Sequence, residues 1–487
     1  MYSFIISICA LILGYLFYGK FVEKAFGPDP KAVTPAVRIN DGVDYIPMPK
    51  WKMCMIQFLN IAGTGPIFGA IMGAKFGPAC YLWIVFGSIF AGAVHDYISG
   101  MISLRFDGAS LPDTIGHFLG RRTRTAITIF LLLMMLLVGA VFVYSPALIL
   151  ADLSSGLSGN SGMLWVLIIL AYYIIATLLP IDKIIGRIYP IFAIAILFMA
   201  VALTVCLFVK WPSIPEFWDG LHNRGPEVGV IGQSIFPCLF ITVACGAISG
   251  FHATQSPLMA RCMTNEKQGR PIFYGSMILE GVVALVWAAI GSYFFFDGGM
   301  AEVGAPGSQA PQVVTSVAKS WLGIVGSILA ILGVVAAPIS TGDTAFRSAR
   351  LMAADMLKID QKPYRNRILT SLPLFALAGL LLWYNIADAN GFNNIWRYFG
   401  LVNQALACFT LWALSLWMIR TSKGMKYLIT VIPAVFMTAV CVTFLLVDPH
   451  CFALDQKIVP HVASATAAIA IVVFSFIIKR QKGKLLQ

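Results

Sequence analysis

Apolar runs such as AITIFLLLMMLLVGAVFVYSPALIL, residues 126 to 150, recur about thirteen times along this chain of 487 residues. A hydrocarbon core of ~30 Å is crossed by about 20 helical residues rising ~1.5 Å each, so each run is long enough to span a bilayer. The approximate spans are 2–18, 53–74, 79–104, 125–150, 162–180, 186–209, 231–254, 272–296, 320–341, 367–386, 392–419, 425–447 and 459–478. Only 11% of the residues are charged, whereas soluble domains keep roughly a quarter. The expectation is an all-α integral membrane protein. A transmembrane barrel would show ~10-residue alternating stretches instead. The first run, YSFIISICALILGYLFYGK, lacks the basic start and small-residue cleavage site of a signal peptide and reads as a retained helix. Ten cysteines without CxxC spacing, most inside apolar runs, read as small buried hydrophobes.

The net charge of +12 follows the membrane topology rather than a nucleic-acid-binding face. Thirteen spans divide the loops into two sets. One set, 20–52, 105–124, 183–187, 261–270, 347–367, 420–426 and the tail 479–484, carries 28 Lys and Arg; the other carries five. The positive-inside rule places the rich set in the cytoplasm, the N-terminus outside and the C-terminus inside.

Two spans carry helix breakers near their centres. NIAGTGPIFG, residues 60 to 69, has Gly63, Gly65 and Pro66, and VACGAISGFHATQSP, residues 243 to 257, has Gly246, Ser249 and Gly250. A freed backbone N–H or C=O costs several kcal/mol in lipid, so such breaks survive only where they are buried in protein or line a cavity. The broken spans lie five apart, an odd number, so consecutive five-helix units are inverted with respect to each other. Spans two to six and seven to eleven then form a 5+5 inverted repeat with a discontinuous first helix in each half, the plan of secondary transporters. This divides the chain into an extra helix and loop (1–52), a first repeat (53–209), a second repeat (210–419) and two further helices with a basic tail (420–487). The second half of each broken helix starts at mid-membrane, with Thr64 and Ser249 as N-cap candidates and Pro66 in the first turn. Its free N–H groups and positive dipole end favour an anion, hence a carboxylate-bearing substrate. Gly63, Thr64, Gly65, Gly246, Ser249, Gly250 and His252 form the candidate substrate site; the alternative is that the glycines merely allow close helix packing. Asn403 and Gln404 of the eleventh span either join it or tie helices together.

Ionisable residues inside spans are costly and cluster at function. His95 and Asp96 lie in the third span, adjacent and so about 100° apart on the helix, with no need to bond each other. With His252 after the second break and Glu280 in the eighth span they are the proton-coupling candidates, each with a structural alternative. Trp396 and Arg397 read as interfacial anchors, and RSARLMAADMLKIDQKPYRNR, from residue 347, as an amphipathic helix on the cytoplasmic surface.

The stretches IAGTGPIFG, AGAVHDYISGMISLRFDGASL, CGAISGFHATQSP, PISTGDTAFRSARL and FGLVNQALA, in this order between about residue 50 and 410, resemble the successive motifs of the carbon starvation protein A family. The resemblance implies a bacterial inner-membrane transporter of pyruvate or peptides with the leucine-transporter fold, an importer driven by H+ or Na+. It also implies a sodium site at Ala337, Ser340 and Thr341, completed by carbonyls near Ile61, Gly63 and Thr64; the alternative is that Ser340 and Thr341 bond back to their own helix. Where the family often has a histidine pair before the first break, this chain has Ile56 and Gln57, so a proton role of that pair does not carry over. No cofactor is implied; the partners are a small carboxylate or peptide and the bilayer, without nucleic acid, and the oligomeric state is left open. A membrane-embedded sensor or a channel is the competing reading. An enzyme is disfavoured, because HExxH, P-loop and nucleophile-elbow motifs are absent.

Overall fold

The computed structural model describes residues 1–41, 45–154, 161–178, 185–224, 234–299, 309–361, 363–387, 391–422 and 424–485. The start of the seventh apolar segment (231–233) and part of the basic loop 183–187 lie outside them. A helix is present at each of the thirteen apolar segments. Among the described residues, nine are singly long and apolar enough to cross a membrane, and the bent pair Lys50–Ala62 and Gly65–Phe76 makes a tenth. Large apolar side chains left exposed, among them Phe198, Val201 and Val205 on one helix and Ile471, Val472, Val473 and Phe476 on the last, suit lipid rather than water.

Both breaks are present. The first bends its span by 47° at Gly63 and Thr64, and Pro66 stands in the opening turn of the second half, where its missing N–H costs nothing. The second is longer: Ile235–Thr242 ends, a non-helical stretch follows, and His252–Ala260 resumes.

The breaks pack back to back. A Cβ on Gly65 would lie 2.4 Å from the Cβ of Cys245, so only glycine allows this approach of the two backbones. Gly246 has φ +89°, in the left-handed region that disfavours side chains, and its Cβ position lies 3.5 Å from Pro66 Cβ.

The ninth segment differs from the expected 320–341 span. Its chain turns at Gly323 (φ 57°, ψ −136°) and continues through a π-helical stretch, Ala330–Val335, into one helix, Ala336–Leu357. The basic amphipathic run is therefore largely the end of a packed helix rather than a separate surface helix. Phe346 stacks on Phe375 at 4.6 Å between ring centres, and Arg347 and Arg350 are buried, donating to Ala176 O at 2.7 Å and Gln361 Oε1 at 2.6 Å. The Ala176 carbonyl comes from another segment and Gln361 from beyond the helix end, and a helical moment over the run sees neither. Trp396 is likewise no lipid anchor: it is buried and packs on Phe68, Phe392 and Phe399.

Candidate functional site

Breaking a helix in the membrane frees backbone groups that must be paired elsewhere. At the second break the pairing can be followed group by group. The carbonyl of Phe240 accepts from Gln404 Nε2 (2.8 Å), that of Val243 from Trp83 Nε1 (2.9 Å) and that of Gly246 from Ser88 Oγ (2.7 Å). The N–H of Gly246 donates to Glu280 Oε1 (3.0 Å) and that of Phe251 to Asn403 Oδ1 (2.9 Å). Ser249 Oγ donates to Asn403 Oδ1 and accepts from Asn403 Nδ2. Gly250 packs so closely on the eleventh segment that its Cβ position lies 2.4 Å from Ala407 N. At Gly246 the freed N–H is thus taken by the protein's own Glu280 rather than left for a bound anion. Asn403 and Gln404 hold the break, and Ser249 acts through Asn403 rather than as an N-cap.

Replacing Asn403 by Leu leaves the Phe251 N–H and the Ser249 hydroxyl buried without an acceptor. We expect a loss of ~1–3 kcal/mol, read as a lowered midpoint of thermal unfolding in detergent; an unchanged midpoint would show that water substitutes for the side chain.

The four ionisable candidates converge. His95 Nδ1 and His252 Nδ1 each sit 2.8 Å from Asp96, one on Oδ1 and the other on Oδ2, so the carboxylate accepts from both imidazoles. His252 Nε2 faces Glu280 Oε2 at 3.5 Å. His95, Asp96 and His252 are joined by hydrogen bonds, and Glu280, within ion-pair range of His252 but not hydrogen-bonded to it, extends this array of alternating imidazole and carboxylate to the backbone of the second break. All four side chains are 0% exposed. The adjacent His95 and Asp96, expected to diverge, bond each other because the short carboxylate reaches back to the neighbouring ring.

At the first break the Thr64 hydroxyl makes no cap; the Thr64 carbonyl instead accepts from the N–H of Ile67 and Phe68. Thr64 Oγ1, both polar atoms of Gln57, and His95 Nε2 are buried without a hydrogen-bond partner among the described residues. Ser340 Oγ and Thr341 Oγ1 both donate to Ala337 O, at 2.7 and 3.0 Å, which is the back-bonding arrangement. Thr341 Oγ1 is 3.8 Å from a Cβ built on Gly63, so the ninth segment does reach the first break. Ile61 is buried beside it.

Two residues outside the expected set belong to the centre. Cys245 is no mere filler: its thiol lies 3.7 Å from Ser249 Oγ and 3.8 Å from Asn403 Nδ2, and a cysteine beside a mid-span glycine was the available signal. Gln57, nearly two turns before the break at Gly63, carries two polar groups without a hydrogen-bond partner among the described residues.

The centre is closed at both ends. Phe68, Phe392, Trp396 and Phe399 form one aromatic layer, with neighbouring ring centres 5.5 to 5.9 Å apart. At the other end Arg105 binds both Glu266 oxygens, at 3.1 and 3.0 Å, and Gly27 O at 2.9 Å, while lying over the Phe26 ring, which stacks on Trp417. Trp396 and Trp417 are 21 residues apart on one helix, Gly391–Thr421, or ~30 Å at ~1.5 Å per residue.

Two interrupted helices back to back, with a polar array enclosed between closures a membrane thickness apart, define a multi-pass membrane transporter. The model of the family "Carbon starvation protein CstA" matches residues 1–158, 152–325 and 312–444, and the chain belongs to that family. It is 48% identical over 339 residues to an uncharacterized membrane protein of Haemophilus influenzae, covering 61% of this chain and 91% of that one. It is 27% identical to a peptide transporter CstA of Campylobacter jejuni, over 90% of this chain and 78% of the other, and 25% identical to the pyruvate/proton symporter BtsT of Escherichia coli K12, over 90% and 80%. Among solved structures, an Eremococcus coleocola manganese transporter superposes with a TM-score of 0.59 over 91% of this chain and 99% of that chain. At 11% identity the likeness is one of fold.

Proposed function

We propose that this protein is a proton-coupled importer of a small carboxylate, pyruvate or a short peptide, working by alternating access without chemical conversion of its cargo. The observation that carries the coupling is the His95–Asp96–His252–Glu280 array. It joins three segments to the backbone of a break, so a change in its proton count alters the bonds that hold the break in place. A protonated Glu280 is a weaker acceptor for the Gly246 N–H, and an Asp96 that gains a proton cannot accept from both imidazoles. Proton loading is thereby linked to the geometry at the helix crossing.

The proton is favoured over sodium because the groups joined to the break are titratable imidazoles and carboxyls, whereas Ser340 and Thr341, which donate to Ala337 O, offer a cation only their lone pairs. Substrate identity is supported by the relatives that carry peptide or pyruvate in their names. The unpaired Thr64 Oγ1, the polar groups of Gln57 and the first half-helix N-terminus are the groups that would meet a carboxylate. In this reading the repeats 53–209 and 210–419 rock against each other, opening the aromatic layer and the Arg105–Glu266 layer in turn. The basic loops face the cytoplasm, with the N-terminus outside and the C-terminus inside a bacterial inner membrane.

Uptake of labelled pyruvate and of di- and tripeptides into proteoliposomes tests this. Accumulation should follow an inward proton gradient and ignore a sodium gradient. Uptake driven by sodium alone would move the coupling to the ninth segment, and a conductance far above ~10³ turnovers per second, the upper range of ordinary turnover numbers, would make the protein a channel.

A further inference from the structure

The structure assigns a second capacity to the centre: Cys245, His252 and Glu280 form a binding site for a thiophilic divalent transition-metal ion of the zinc class. The binding stands apart from the transport reading. Its ligand atoms, Cys245 Sγ, a His252 ring nitrogen and a Glu280 oxygen, lie within 4.8 Å of one another, and all three residues are buried. Zinc bonds of ~2.0–2.3 Å arranged tetrahedrally hold their ligand atoms ~3.2–3.8 Å apart. His252 Nε2 and Glu280 Oε2 already stand at 3.5 Å, so closing the thiol onto them requires a shift of about 1 Å.

A second observation points to a ligand. His252 Nε2 and Glu280 Oε2 are buried without any hydrogen-bond partner among the described residues, although each residue's other polar atom is bonded. Asp96 takes His252 Nδ1, and the Gly246 N–H takes Glu280 Oε1. That is how metal-binding residues are held: the far imidazole nitrogen on a carboxylate, which sets the tautomer and raises the basicity of the near one. The thiol is held by Ser249 and Asn403. Sulfur, nitrogen and one carboxylate oxygen select zinc or cobalt over magnesium or calcium, which take all-oxygen shells. One thiolate and one carboxylate balance the ion's two positive charges once the thiol has released its proton, so the occupied site carries no net charge in the membrane interior. Three protein ligands leave a fourth position for water.

An ion there occupies both atoms of the His252–Glu280 step. If the array carries protons as proposed, the ion blocks it, and this consequence alone rests on the transport reading.

Co²⁺ is the probe. Titrated into the full-length protein in detergent, it should produce the near-ultraviolet charge-transfer absorption of a cobalt–thiolate bond, saturating at one ion per chain and removed by Zn²⁺. Cys245→Ser should abolish the band, while Cys262→Ser and Cys408→Ser retain it. Glu280→Gln keeps the sulfur and should weaken binding about tenfold or more, by analogy with the loss of a partner in the outer shell. Absence of the band, or a band that survives Cys245→Ser, overturns the site. Should Cys245→Ser fail to fold, alkylation of Cys245 in the unmodified protein decides: slowing by Zn²⁺ supports the site, and an unchanged rate overturns it. A cobalt band with Zn²⁺-insensitive uptake leaves the site standing and removes the array from coupling.

Discussion

Asp96→Asn is expected to abolish proton-driven accumulation while leaving the exchange of labelled for unlabelled substrate across a membrane with no gradient. The substitution keeps the size of the side chain but replaces an acceptor-only group with one that donates through its nitrogen. His95 Nδ1 and His252 Nδ1, now bonded to Oδ1 and Oδ2 at 2.8 Å, can no longer both donate. One histidine must change tautomer or lose its bond, at a cost of ~1–3 kcal/mol if it is left unpaired. A pH difference of one unit is worth ~1.4 kcal/mol per proton, so a one-to-one symporter accumulates its substrate about tenfold. The variant should reach a ratio of about one at a comparable exchange rate, in the same proteoliposomes. Tenfold accumulation by Asp96→Asn would mean that the carboxylate is a structural bond and that coupling lies elsewhere.

Gly65→Ala should cost both stability and uptake, although alanine is ordinarily the better helix former by ~1 kcal/mol. Its Cβ would fall 2.4 Å from Cys245 Cβ and 2.5 Å from Cys245 Sγ, far inside contact distance, and overpacking of this kind costs ~1–3 kcal/mol. The clash therefore outweighs the propensity gain. Because the contact joins the two breaks, the strain falls on the crossing itself. Cys245→Gly removes the opposing Cβ, so the double variant should recover thermal stability relative to Gly65→Ala alone, a coupling readable in a double-mutant cycle. Additive effects of the two changes would separate the breaks.

The membrane class, most helix positions and both breaks are legible in the sequence, because each has a local cause. Twenty apolar residues have one way to cross lipid, and glycine with proline at mid-span interrupts a helix wherever it stands. The candidate residues are legible for the same reason, since an ionisable group in an apolar run is conspicuous alone. Their arrangement is not. Asp96 and His252 are 156 residues apart, and nothing near either announces the bond between them. For Asn403 and Gln404 the sequence leaves substrate contact and helix tying both open, because their partners are a carbonyl, an amide and a hydroxyl at a break in another segment. Cys245 looked like filler because spacing rules for metal ligands describe sites built on one stretch of chain, whereas these three ligands come from two segments. The end of the helix Ala336–Leu357 looked superficial because the atoms that cover Arg347 and Arg350 belong to other parts of the chain.

The two closures differ in kind. The layer of Phe68, Phe392, Trp396 and Phe399 is apolar, and such contacts weaken on cooling. The layer of Arg105, Glu266 and Gly27 is ionic, and with Glu266 buried and in direct contact with Arg105 it is screened by salt much less than a surface pair. If the two layers open in turn as proposed, cooling loosens the apolar one and spares the ionic one, so the side from which the centre is reached shifts with temperature.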